Sequence, residues 1–390
     1  MLFETRDGEE HRTQCDVLVS AIGGFSTPLD RPPDIPGLDS FAGVTFHSAR
    51  YKHEVELAGK RVGVIGNGCT GAQLVPSLAN APESERPSQI INFCRTPSWF
   101  VPREQKAYSG TAKALFRSVP GLMRAYRWWI AATNDARFVV WRLSNSTLRH
   151  YVEEVRPLSA ACCSFACSQR ALAQESTKYI TQTAPSKYHT WLIPHYPFGC
   201  KRVVIDPGYL ASLHHDHVSL VTDRIVQVER EGIRGASGEL YELDVIILAT
   251  GFDLSATGDA LNIFGRDGLS ITDRWQAVGG AQAYRGTAMA HFPNFYALLG
   301  PNTATGHGSV IHAHESQAQL ITQLVAPLAR NNVRSLEVKL DAEERYNSAL
   351  REKLKDTVWA GGCASYYKQG DKIVATVRPS PRQCVYFPRN

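Results

Sequence analysis

The chain has 390 residues, 43% hydrophobic and 20% charged. This balance excludes a disordered polymer and allows two or three domains without disulfide or metal staples. Its 42 basic and 37 acidic residues leave a formal charge of +5 with no run of five like charges. That excludes the concentrated basic patch of a nucleic-acid binder and is compatible with small anionic ligands such as nucleotides. Nine cysteines without regular spacing point to a reducing compartment. The dense group Cys162, Cys163 and Cys167 has no second Cys or His pair at zinc spacing, so no metal site is expected.

The N-terminal MLFETRDGEE has neither a basic n-region nor an apolar h-region, so no leader is expected. The most apolar stretch, residues 125–143, is interrupted by Arg127, Asp135, Arg137 and Arg142, so no membrane span is expected and a cytoplasmic setting is. Residues 16–24 read DVLVSAIGG and residues 244–252 read DVIILATGF. Each is a β-branched apolar run of strand length, opened by Asp and closed near a glycine. Such runs suit strands of parallel sheets covered on both faces, and two copies predict two similar α/β domains.

Between the copies, residues 60–65 (KRVGVI) predict a buried strand. Gly66-Asn67-Gly68-Cys69-Thr70-Gly71 follows, a G-x-G-x-x-G turn, and residues 70–80 carry apolar positions at helical spacing. Pro76 sits awkwardly there, since proline is tolerated in the first turns of a helix only. Residues 89–94 predict the next strand. Glycines placed after a strand and opening a helix, in a unit of about 30 residues, are the dinucleotide-binding fingerprint. Gly66 makes the tight turn, Gly68 lets backbone approach a pyrophosphate, and Gly71 lets helix and strand pack closely. The helix N-terminus offers free N–H groups to the phosphates. An NAD site has an acid after the second strand; here Arg95-Thr96 follow, which suits the 2′-phosphate of NADP, the alternative being a solvated strand-end charge.

Residues 103–198 break the α/β pattern. Residues 115–148 and 172–181 read helical, with Trp128, Trp129 and Trp141 expected in the core. A basic amphipathic helix lying on a membrane is the lesser alternative. Lys201-Arg202 then precede an apolar strand. Residues 293–299 (PNFYALL) predict another strand, followed by Gly300-Pro301-Asn302, a Gly/Thr-rich loop and a helix over 314–329 with Gln319, Thr322 and Gln323 on its polar face. That turn is a second candidate phosphate-binding site. His307, His312 and His314 lie close by and are expected to be satisfied locally.

Taken together, these segments resemble the flavin-containing and Baeyer–Villiger monooxygenases over nearly the whole chain. The family signature F-x-G-x-x-x-H-x-x-x-W is present in part, as Phe41, Gly43 and His47 with Tyr51 for the Trp and Lys52 after it. GKRVGVIGNGCTGAQ, through Gln73, resembles the family's NADPH-binding turn, and RTPSW its 2′-phosphate clamp. ATGFD at 249–253 resembles its hinge strand, PNFYALLGPNTATGHGS the segment under the flavin, and GCAS-Tyr366-Tyr367 its Cys-x-Ser-Trp-Tyr. The resemblance implies two Rossmann-like domains with a helical insert, the FAD domain incomplete because the family's first G-x-G-x-x-G unit is not in this chain. The implied division is 1–45 (remnant of the FAD domain), 46–102 (NADPH domain, first part), 103–198 (insert), 199–248 (NADPH domain, second part) and 249–390 (rest of the FAD domain).

The resemblance also implies FAD and NADPH as cofactors, with Gly300, Pro301 and Asn302 against FAD, Lys201 on NADP, and Arg202 as the catalytic cation over the flavin. O2 and a ketone would be converted through a peroxyflavin to an ester or lactone. Two readings stand beside this one: oxygenation of nitrogen or sulfur, and a truncated NADP(H)-binding chain without catalysis. A place in secondary metabolism is plausible by family analogy.

Overall fold

The computed structural model describes residues 2–4, 10–103, 105, 107–137, 164–254, 258, 261–303, 309–355, 357–360, 367–369 and 372–373. In chain order, β1 (Leu2–Glu4) and β2 (Glu10–Arg12) pair as an antiparallel hairpin that the polar N-terminal sequence does not announce. β3 (Leu18–Ser20) follows, then β4 (Val44–His47), β5 (Arg61–Ile65), α1 (Cys69–Ala79), β6 (Gln89–Phe93) and β7 (Phe100–Val101). The helical segment supplies α2 (Gly110–Ser118), α3 (Leu122–Arg137), α4 (Ser164–Thr183) and the short α5 (His189–Leu192). Next come β8 (Val204–Ile205), α6 (Tyr209–Ser212), β9 (Val218–Val221), β10 (Ile225–Glu229), β11 (Gly232–Gly235), β12 (Leu240–Glu242) and β13 (Val245–Leu248). The C-terminal part carries α7 (Ile271–Ala277), β14 (Phe295–Ala297), α8 (Val310–Ala329), α9 (Leu340–Lys355) and a small hairpin, β15 (Lys368–Gln369) and β16 (Lys372–Ile373).

The organising element is a five-stranded parallel sheet in the order β4-β13-β5-β6-β9. Val62, Val64, Ile90, Val245 and Ile247 face one core with α1, while Ile65, Ile91, Phe93, Ile246 and Leu248 face a second core shared with the antiparallel sheet β10-β11-β12. Burial on both faces is why these strands read as unbroken apolar runs. The register sets His47 and Ile65 beside Leu248, and Phe93 beside Ile65. The carboxyl ends of four strands therefore form one rim, where open α/β sheets bind ligands.

Several expectations are corrected. Only the second apolar copy is covered on both faces: β13 is fully buried, whereas β3 pairs with β14 alone among the described residues and leaves Val19 41% exposed. A strand with one neighbour lacks the second layer that full burial needs. Pro76 lies in the third turn of α1, not its first, so the helix forgoes one N–H bond there, and the Pro76 carbonyl takes both the N–H and the side-chain amide of Asn80. The helix expected from 314 starts at Val310, where the Ser309 hydroxyl accepts from His312 N–H at 3.3 Å, an N-cap. Gln319, Thr322 and Gln323 do lie on its exposed side.

The aromatics of α3 are not core. Trp128 is 49% and Trp129 60% exposed. The part-buried stripe of α3 is instead Leu122, Tyr126 and Ile130, with Tyr126 against Phe116 of α2 at 5.3 Å. Two short helices offer each other too little surface to bury two more indole faces. Trp128 meets His312 edge-on at 6.0 Å, and Arg127 pairs with Glu315 at 2.5 Å, so α3 is tethered to α8. Trp141 and His307 lie outside the described residues. Cys15, Cys69 and Cys94 are free thiols but Cys200 is disulfide-bonded, which departs from the expectation of reduced thiols. Bridging depends on two sulfurs meeting in the fold, which spacing along the chain does not show.

Candidate functional site

The fingerprint turn stands at the carboxyl end of β5, as its context demands. Gly66 has φ 109°, a left-handed conformation, and a Cβ there would come 2.6 Å from the Ala249 carbonyl oxygen. A Cβ on Gly71 would come 2.1 Å from the Gly66 carbonyl oxygen, so helix and turn could not close on each other. Around Gly68, by contrast, a Cβ would meet nothing within 4 Å. The first two contacts explain why these positions must be glycine, and the open space at Gly68 is where a ligand backbone contact fits. Thr70 lies half-exposed in the first turn of α1; Gln73, one turn on, is exposed and donates to the Cys69 carbonyl at 2.8 Å rather than reaching outward.

Asn67 is buried beneath the turn. Among the described residues its Nδ2 has no hydrogen-bond partner, although the Asn67 amide lies near enough to the Tyr209 hydroxyl to pull down that phenol's pKa, which burial pushes well up. The Asn67 carbonyl lies 3.4 Å from the Ser98 hydroxyl, tying the turn loosely to the RTPSW segment. That segment is braced in turn by Tyr196, whose hydroxyl donates to the Pro97 carbonyl at 2.8 Å and whose own carbonyl takes the Trp99 indole N–H at 3.1 Å.

Two expected site residues, Lys201 and Arg95, converge at this rim. Lys201 is half-buried with its ammonium over the Tyr196 ring at 5.3 Å. Burial lowers the Lys201 pKa, the Arg95 guanidinium lowers it further, and Cys94 works against both. Cys94 itself is held as a thiol, pushed up to about 12 by burial against the opposing pull of Lys201 and the Thr96 backbone. Two cations close enough to repel each other describe a place that favours a phosphate. Arg95 is exposed and salt-bridged to Asp34, a partner that the sequence pattern around the turn does not indicate. Arg202 is exposed beside Lys201, just before β8, which pairs in parallel with β7.

The signature residues have structural work of their own. A Cβ on Gly43 would lie 2.3 Å from the Asp244 carbonyl oxygen and 2.6 Å from the Phe41 ring, so that glycine lets β4 close on β13 under Phe41. His47 ends β4. Its Nδ1 accepts from Ala49 N–H at 3.0 Å, which places the proton on Nε2, and its ring meets Phe252 of the hinge segment edge-on at 5.8 Å. Burial lowers the His47 pKa, with Asp30 and the Gly251 backbone opposing and Arg50 assisting. The unfolded chain takes up this proton near pH 6.5 and the native state resists it. Native stability is therefore expected to be lost as pH falls from about 7 through that lowered value. Denaturant midpoints of wild type and His47→Gln between pH 7 and pH 5 check this, and an unchanged pH slope in the variant would refute it.

The second turn, Gly300-Pro301-Asn302, follows β14. Leu299 and Asn302 have φ 53° and 59°, strained for Leu299 in particular. The buried Gln317 holds this conformation, accepting from Leu299 N–H at 2.9 Å while its Nε2 donates to the Gly286 carbonyl and the Thr287 hydroxyl. A Cβ on Gly300 would lie 2.4 Å from the Gly286 carbonyl oxygen. Gln317 escaped the sequence reading; an uncharged polar residue on a helix gives no sign of burial. The loop is a preorganised backbone surface of the kind a cofactor can lie against. Tyr367 is buried in a satellite core with Trp359, and Tyr366 lies outside the described residues. Among the described residues no cluster of three or more His, Cys, Asp or Glu could hold a metal, and no helix is long and apolar enough to cross a membrane.

The family described as flavin-binding monooxygenase-like matches residues 3–121. A Baeyer-Villiger monooxygenase of Pseudomonas aeruginosa is 32% identical over 94% of this chain, and the chain spans 64% of that relative's length. An uncharacterized monooxygenase of Mycobacterium tuberculosis is 36% identical over 95% of this chain and 69% of its own. Among solved structures, OTEMO in complex with FAD and NADP superposes with a TM-score of 0.75 at 26% identity, covering 98% of this chain and 76% of that one. An open form of cyclohexanone monooxygenase gives 0.69 at 27% identity, covering 93% and 72%. With the parallel sheet, the glycine turn and the partial signature in place, the chain belongs to the family of flavin-containing and Baeyer–Villiger monooxygenases.

Proposed function

We propose that the protein is an FAD- and NADPH-dependent monooxygenase that places one oxygen atom of O2 into a ketone, giving an ester or lactone. The observation that carries this reading is the turn over α1: open at Gly68, underlain by the unpartnered Asn67 amide, and flanked by the converging cations Arg95 and Lys201. Family membership and relatives solved with both dinucleotides support it. We assign residues 46–102 and 199–248 to the NADPH-binding domain, 103–198 to a helical insert, and 1–45 with 249–390 to the FAD-binding domain.

NADPH binds with its pyrophosphate over Gly66, Gly68 and Gly71 and the first N–H groups of α1, including those of Thr70 and its neighbours. Its 2′-phosphate lies on Arg95 and Thr96, Arg95 leaving Asp34 to take it, and Lys201 adds the second positive charge. Gln73 stays at the edge of this site. The backbone of Gly300, Pro301 and Asn302, held in shape by Gln317, packs against FAD. Bound FAD supplies the oxygen-activating chemistry. Arg202 then stabilises the negative charge that develops on oxygen during attack on the carbonyl, an effect that grows once cofactor and substrate have excluded water from this exposed side chain.

The direct test is the absorbance spectrum of the purified chain with FAD, bleaching by NADPH under nitrogen, and chromatographic detection of lactone from cyclic ketones. A flavin band, bleaching and lactone are expected. Oxidised thioether without lactone would move the reading to heteroatom oxygenation, and a colourless chain that binds NADPH would move it to a binding protein. Arg95→Ala is expected to weaken NADPH about 10- to 100-fold, the loss of a charge-assisted hydrogen bond, and to leave NADH unchanged. Equal effects on the two dinucleotides in a fluorescence titration would remove Arg95 from the 2′-phosphate.

A further inference from the structure

β6 reads Gln-Ile-Ile-Asn-Phe, and an asparagine at its fourth position is out of place. Asn92 shares its strand face with Ile90 and Cys94, points into the core under α1, and is 0% exposed. A buried amide in an apolar layer is costly unless all its hydrogen bonds are made. Here they are. Nδ2 donates to the Val64 carbonyl at 3.0 Å and the Gly66 carbonyl at 3.1 Å, and Oδ1 accepts from the Tyr209 hydroxyl at 2.7 Å. Two carbonyls can only accept, so the orientation of the amide is forced. Tyr209 is fully buried and stacked on Phe100 with ring planes 9° apart; its backbone N–H donates to Asp206 Oδ1 at 2.7 Å. Asp206 Oδ2 in turn accepts from the Tyr179 hydroxyl at 2.9 Å.

The consequence falls on the dinucleotide turn. Asn92 draws the Gly66 carbonyl inward, toward the sheet. A trans peptide sets its N–H opposite its carbonyl, so the Asn67 N–H on the same peptide is turned outward. The Tyr209 hydroxyl also lies beside the unpartnered Asn67 side chain, so one buried phenol touches both the strand and the turn.

We propose that Asn92 and Tyr209 form an internal latch that sets the backbone of the Gly66–Gly71 turn, which makes them positioning residues for pyrophosphate recognition. This rests on the dinucleotide-binding reading above. Neither side chain reaches the ligand surface; they act through the peptide between Gly66 and Asn67.

The test compares two probes, NADP+ and adenosine 2′-monophosphate, titrated calorimetrically into the full chain. The second lacks the pyrophosphate and reads only the Arg95 side of the site. Asn92→Leu is nearly isosteric but leaves the Tyr209 hydroxyl orphaned. The double variant Asn92→Leu/Tyr209→Phe removes both partners and is expected to regain the wild-type melting temperature. In that variant NADP+ binding is expected to weaken about tenfold, on the scale of one hydrogen bond, with adenosine 2′-monophosphate unchanged. Tyr209→Phe alone, which keeps the Asn92 bonds to both carbonyls, should show a smaller shift of the same ratio. An unchanged ratio of the two affinities in all three variants would overturn the latch. A wild-type chain that binds neither probe would overturn the dinucleotide reading instead.

Discussion

Arg202→Ala is expected to lower the rate of ketone oxygenation by roughly 10²–10³ while NADPH still reduces the flavin at its ordinary rate. The dissociation of the two steps is the informative part. On the proposed reading, hydride transfer needs the cofactors held in place by the glycine turn, Arg95 and Lys201, and does not need Arg202. Stabilising charge on the attacking oxygen needs a fixed cation beside it. Arg202 follows the half-buried Lys201 and precedes a strand anchored by Val204 N–H on the Trp99 carbonyl at 2.8 Å, so its backbone is well placed even though its side chain is exposed. Stopped-flow absorbance under nitrogen gives the reduction rate, and product formation gives the oxygenation rate. If oxygenation is unaffected while reduction is normal, Arg202 has no catalytic role. If reduction falls in proportion, Arg202 acts in binding NADPH.

Arg274→Met is expected to destabilise the C-terminal part of the fold by about 3–5 kcal/mol, the range for removing one member of a buried ion pair. Arg274 on α7 is 6% exposed and meets Glu343 on α9, which is fully buried, at 2.8 Å. The Glu343 Oε2 also accepts from Ala290 N–H at 2.7 Å, so the pair joins two helices to the segment that leads into β14. Without Arg274 a carboxylate stays buried with one backbone donor as its remaining partner among the described residues. The loss is therefore expected to exceed that of any exposed pair, such as Arg345–Asp341, whose removal should fall below about 1 kcal/mol. Replacing both members, Arg274→Met/Glu343→Leu, should recover much of the stability, because the desolvation cost disappears with the charges. Denaturant unfolding followed by far-ultraviolet circular dichroism distinguishes these outcomes; a loss under about 1 kcal/mol for Arg274→Met would show that the pair contributes no more than a surface contact.

Much of the glycine turn was legible from sequence because its determinants are short-range. Residues 60–71 carry a strand, the three glycines of the turn and a helix start within twelve positions; Gly71 answers to the Gly66 carbonyl and Gly66 to the Ala249 carbonyl just beyond the adjacent strand, while Gly68 faces open space. The paired apolar runs at 16–24 and 244–252 were legible as strands for the same reason. Their burial was not, since a strand's cover is decided by its neighbours: β13 lies between β4 and β5, whereas β3 has β14 alone among the described residues. Trp128 and Trp129 show the same limit. Their size argues for burial, yet the hairpin of α2 and α3 presents too small a face to take them in.

What the sequence by itself determined is the family, the position of the glycine turn and the cationic residues after β6 and before β8, all carried by short motifs whose chemistry needs particular residue types at particular spacings. Only the tertiary structure decided which of these side chains meet. Arg95 finds Asp34, Lys201 finds Tyr196, and Asn92 finds Tyr209 across 117 positions. Such pairings arise when parallel strands and their crossovers bring distant segments to one rim of the sheet. Local propensity carries no information about a partner so far along the chain.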